Sequence, residues 1–105
     1  MIELVANDRL LDELQYVLSK NPGIERILVS RRTVQNALIG FLEDKVDATE
    51  LVKWANLVGL HNDEIAYESG FQQFIATFIF RLSTPEINEP IGKNICQTMI
   101  AELIS

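Results

Sequence analysis

Apolar residues that recur at steps of three and four constrain this chain more than any other feature. Between positions 71 and 82, Phe71, Phe74, Ile75, Phe78, Ile79 and Leu82 follow that spacing. A helix turns once every 3.6 residues, so all six share one face. Phe80 lies off that face and is expected to widen it, which would set this helix at the centre of the core. Leu10, Leu11, Leu14, Val17 and Leu18 make a second stripe, and Leu51, Trp54, Ala55 and Val58 a third. Ile95, Met99 and Leu103, with Cys96 and Ile100, make a stripe near the end of the chain. Sustained alternation of apolar and polar residues, the mark of a half-buried strand, is missing. The expected fold class is all-α: a compact bundle of five to six short helices in one domain over residues 1–105.

Start and stop signals divide the stripes. Asn7 or Asp8 can cap the first helix, and Asn21-Pro22-Gly23 breaks the chain after it. Ile24, Ile27 and Leu28, then Val34, Leu38, Ile39 and Leu42, read as two helices meeting near Ser30, a possible N-cap. One bent helix is the alternative, and residues 24–29 are the best strand candidate. Asp47-Ala48-Thr49-Glu50 has the form of a capping box, and Gly59 can supply a left-handed stop. Ser69-Gly70-Phe71-Gln72 fits a second box. Thr84-Pro85 and Asn88-Glu89-Pro90 read as caps followed by proline in a first helical turn.

With 105 residues, 48% of them apolar, the chain can bury one core without staples. Its single cysteine, Cys96, cannot close an internal disulfide, which fits a reducing cytoplasm. No apolar run approaches the roughly 18 residues of a membrane span. Met1-Ile2-Glu3-Leu4 lacks the basic start of a signal peptide. The expected location is the cytoplasm, with no membrane partner.

Charge is uneven. Residues 41–70 hold seven acids against two bases, a net charge of −5, while the other 75 hold eight acids and seven bases. A polyanion such as nucleic acid would be repelled by a chain with a net charge of −6, and a basic protein attracted.

Signatures of chemistry are missing. The phosphate-binding, dinucleotide-binding and nucleophile-elbow patterns are absent, and the five glycines lie far apart. Cys96 sits on an apolar stripe, where cysteine is usually a small core hydrophobe. His61-Asn62-Asp63-Glu64 is the one place where a histidine meets carboxylates, and zinc needs more histidine and cysteine than this chain has. The expected cofactor and metal content is none, and the chain is read as a non-enzyme. Trp54 reads as a core anchor or as an interface hot spot. Arg26, Arg31 and Arg32 form the only basic cluster. They are expected to pair with acids elsewhere on the surface, each pair worth little, and a phosphate site is the alternative.

The central stretch runs Phe41-Leu42-Glu43-Asp44-Lys45-Val46-Asp47-Ala48-Thr49-Glu50-Leu51-Val52-Lys53-Trp54-Ala55. Asp63-Glu64-Ile65-Ala66-Tyr67-Glu68, Phe78-Ile79-Phe80-Arg81-Leu82 and Pro85-Glu86-Ile87-Asn88 follow. Over roughly residues 38–91 this pattern resembles small acidic helical immunity proteins of bacterial polymorphic toxin systems, of the colicin or contact-dependent growth-inhibition type. The resemblance implies a protein that binds one cognate toxin, often a nuclease, and covers its basic active site. No catalytic residue carries over.

Asp47 and Glu50 already have a role in starting a helix. The expected partner-binding residues are Glu43, Asp44, Asp47, Asp63, Glu64, Tyr67 and Glu68. The alternative reading is a regulatory or adaptor domain that docks on another protein or on a second copy of itself.

Overall fold

The computed structural model describes residues 2–6, 9–20, 26–61, 63–85 and 91–104. In chain order they form β1 (Ile2–Glu3), α1 (Leu10–Lys20), β2 (Ile27–Val29) and α2 (Arg31–Leu42). Then come α3 (Ala48–Leu60), β3 (Ile65–Tyr67), α4 (Gln72–Ser83) and α5 (Lys93–Ile104). The chain is mostly helical, but it is not all-α. Three short parallel strands make a sheet in the order β1-β2-β3. Ile2 sits opposite Ile27, which in turn sits opposite Ile65; Val29 sits opposite Tyr67. The helices α1, and then α2 with α3, are therefore the crossovers that parallel neighbours require.

This corrects the purely helical expectation, and the reason is physical. Strands of a parallel sheet covered by helices read as continuous apolar runs rather than alternating ones. Ile27-Leu28-Val29 is such a run, with Ile27 and Val29 fully buried. The described part of the stretch before Ser30 is thus a strand and not the first of two helices.

Ser30 does cap α2. Its Oγ accepts from the Thr33 amide at 3.1 Å, and Thr33 Oγ1 accepts from the Ser30 amide at 3.1 Å. Thr33 Oγ1 also donates to the Leu4 carbonyl at 2.7 Å, which ties the helix start to the segment after β1. Glu13 on α1 holds the same segment from the other side, accepting from the amides of Val5 and Ala6 at 2.8 Å each. Ala6 needs that support, because its φ of 56° lies where a Cβ is crowded.

Other boundaries differ in part from expectation. Asp47 caps α3 by accepting from the Glu50 amide at 2.7 Å, without the reciprocal bond of a full box. Gly59 lies inside α3, which ends at Leu60 with His61 as its C-cap. Phe71, not Ser69, occupies the N-cap of α4 and makes no side-chain cap bond there. Gly70 turns the chain at φ +86°, a conformation glycine tolerates, and this delays the helix start. Thr84 is the C-cap of α4, and its Oγ1 donates to the Phe80 carbonyl at 2.8 Å; the turn expected after Pro85 lies outside the described residues. Asn7 and Asp8, Asn21-Pro22-Gly23 and Asn88-Glu89-Pro90 lie outside the described residues.

The core takes Trp54, Leu51, Ala55 and Val58 from α3 and Ile75, Phe78, Ile79 and Leu82 from α4, which packs chiefly against α3. Cys96, Met99 and Leu103 seat α5 against α2. Phe80 does not widen the buried face of α4: it is 53% exposed. Phe71 and Phe74 stand at the margin of that face, each 36% exposed. Trp54 is wholly buried, which settles it as a core anchor.

Candidate functional site: acidic turns at both ends of one helix

The acidic block does not fold into one patch. All of its carboxylates but Glu68 separate to the two ends of α3. Thirteen residues at 1.5 Å each put those ends about 20 Å apart.

At the N-terminal end, Glu43 is the C-cap of α2, and its carboxylate lies 3.2 Å from Lys45 Nζ. Asp44 takes a left-handed backbone at φ 62° and stands 3.5 Å from Lys93 Nζ, with its side chain 80% exposed. Both ion pairs are solvated and worth little. Asp47 follows as the exposed N-cap of α3. Glu43, Asp44 and Asp47 are therefore brought together on one tight turn.

At the C-terminal end, Asp63 is exposed and makes no hydrogen bond or ion pair among the described residues. Glu64 Oε1 lies 3.1 Å from His61 Nδ1. Leu60, His61, Asp63 and Glu64 line an open cleft of about 280 Å³. Leu60, 80% exposed, lines the same cleft as Asp63. Asp63 and Glu64 give the cleft a mainly polar, anionic lining, which suits the charged head of a lysine or arginine.

Two expected site residues are placed differently. Tyr67 is on β3, half-buried and packed against the core, and burial pushes its phenol above the ordinary value. Glu68 is not a free carboxylate. Its Oε1 accepts from the Arg31 amide at 3.0 Å and from Arg31 Nε at 3.1 Å, while Oε2 accepts from Arg31 Nη2 at 2.9 Å. These bonds hold the Glu68 carboxyl below its usual range against the opposing effect of burial, and the charges of Arg31 and Arg32 add to the lowering. The Arg31 guanidinium in turn stacks on the Phe71 ring, 3.6 Å from its centroid. Glu68 and Arg31 thus fasten the exit of β3 to the start of α2. The expected pairing of Arg31 with an acid is thus met, but the sequence did not indicate which acid, because the two residues lie 37 positions apart.

A second open cleft, about 380 Å³, lies at the carboxyl end of the sheet. Glu3, Ser30, Arg31, Arg32, Gln35 and Glu68 supply its polar lining. Glu3 Oε2 accepts from Ser30 Oγ at 2.6 Å. Arg32 is exposed and makes no hydrogen bond or ion pair among the described residues.

Neither cleft places a nucleophile beside a base. Cys96 is buried, and burial pushes its thiol up to about 11. No group of three or more metal-ligating side chains occurs among the described residues. Among the same residues, no helix is long and apolar enough to cross a membrane. Comparison with protein-family models, curated proteins and solved structures finds no match.

Proposed function

We propose that this chain is an immunity protein: it binds a cognate toxin domain, a basic nuclease, and neutralises it by covering the active site. The observation that carries the reading is the pair of solvated acidic turns at the ends of α3. Their carboxylates are not needed by the core. Asp63 has no partner among the described residues, and the pairs of Glu43 and Asp44 are solvent-exposed. A standard interface buries about 800 Å² per partner, which is wide enough to span the length of α3 between the turns. A nuclease site draws in the phosphate backbone by its positive field, and carboxylates compete for that field. Leu60, exposed in the same cleft as Asp63, adds an apolar contact within the same footprint.

The alternative of a docking adaptor shares this surface but has another partner. Its homodimeric form through the Trp54 face has no support, because Trp54 offers no surface.

Growth rescue separates the two. The chain is co-expressed with the toxin domain encoded beside it, and the pair is then purified through a tag on the toxin. Protection together with co-purification is the expected result. Absence of both removes the immunity reading.

A further inference from the structure

The N-terminus of α2 already holds an anion, and the anion belongs to the chain itself. Three donors converge on the Glu68 carboxylate: the Arg31 amide, Nε and Nη2, at 3.0, 3.1 and 2.9 Å. The position is one where α/β crossovers commonly hold ligands, at the carboxyl ends of parallel strands and the positive end of a helix. We infer that this is a carboxylate-binding seat that the chain closes with its own Glu68, and that a free monocarboxylate occupies it once the Glu68 side chain is removed.

Three features argue that the seat outlasts its occupant. Arg31 is held independently of Glu68, because its guanidinium lies 3.6 Å from the centroid of the Phe71 ring. Phe71 is itself braced edge-on by Phe74, with ring centroids 6.5 Å apart. The Ser30–Thr33 capping box fixes the first turn of α2, and neither of its bonds involves Glu68.

Access is provided by the 380 Å³ cleft alongside, where Arg32 adds positive charge and Gln35 adds an amide. Glu3 lines the same cleft and opposes an incoming anion. That opposition favours a singly charged ligand over a phosphate dianion. The head group that fits is therefore a carboxylate, the one already seated there. This inference stands apart from the immunity reading, since it concerns the other end of α2.

The test uses the full chain and sodium acetate as the probe, against sodium chloride at equal ionic strength. A charge-assisted pair of hydrogen bonds of ordinary net strength gives a dissociation constant on the order of 10 mM. At about 100 mM acetate, Glu68→Ala should then gain roughly 6–11 °C in Tm over its value in chloride. Wild type, with the seat closed, should gain nothing, and the double variant Arg31→Ala/Glu68→Ala should gain nothing. Acetate should shift amide resonances of Glu68→Ala chiefly at Arg31, Arg32 and Thr33. Equal gains in all three proteins, no gain in Glu68→Ala, or shifts centred elsewhere would overturn the inference. If Glu68→Ala is unfolded in chloride, the same comparison reads helical circular dichroism, and failure of acetate to restore it also overturns the inference.

Discussion

Trp54 is wholly buried on α3, yet its indole N–H has no hydrogen-bond partner among the described residues. A buried donor left unmade costs about 1–3 kcal/mol. Trp54→Phe removes that donor. The smaller ring leaves a void of roughly 40 Å³, which at about 24 cal/mol per Å³ costs about 1 kcal/mol. The two effects oppose each other, so Trp54→Phe should leave stability between unchanged and about 2 kcal/mol higher. Trp54→Ala empties the site and should cost about 3–5 kcal/mol, a large share of the stability of a small domain. The assay is guanidinium unfolding followed by circular dichroism at 222 nm, since both variants lack the only tryptophan. Trp54→Ala should lower the midpoint by about 1–2 M, and Trp54→Phe should leave it unchanged or raise it by less than about 1 M. If the two variants are destabilised equally, the indole N–H is satisfied in solution and the reasoning fails. If Trp54→Ala is close to neutral, Trp54 is not the core anchor of α3.

Two further outcomes follow from the perturbed groups. Glu68 has a folded pKa below its unfolded value, so its contribution is fully present above the ordinary glutamate range. It is lost as pH falls through the lowered folded value. Wild type should therefore lose more stability than Glu68→Gln between about pH 5 and pH 2, and parallel profiles would show that the pair with Arg31 contributes nothing. The buried Cys96 thiol, pushed up to about 11, should resist iodoacetamide at pH 8 in the native protein and react after unfolding. Rapid native labelling would mean that α5 does not pack against α2.

The helices were legible and the sheet was not. Spacings of three and four marked α1, α3, α4 and α5, because each buries one stripe on a shared core. Ser30 and Asp47 announced their helix starts through side-chain chemistry that acts locally. The strands are two or three residues long. Runs that short carry no period, and two-sided burial removes alternation. At the candidate site, proximity in sequence misled in both directions. Asp63 and Glu64 are as close as their numbers suggest. Glu68, four residues beyond Glu64, crosses the full length of β3 and is captured by Arg31 at the other end of the sheet. Such long-range pairing is a property of the topology, which no local pattern encodes. Phe80 shows the same limit on the apolar side: a phenylalanine in a helix need not face the core.

The central claim is that the acidic turns at the two ends of α3 carry the partner. The most direct measurement is the affinity for the adjacent toxin domain, by isothermal titration, after charge reversal at Asp44 and Asp63 together. Asp12 on α1, exposed and outside both turns, serves as the control. The account predicts that Asp44→Lys/Asp63→Lys weakens binding at least a hundredfold, about 2.7 kcal/mol, with a slower association that salt abolishes. Asp12→Lys should leave binding within a few-fold of wild type. Equal losses from the double variant and from the control would contradict the claim.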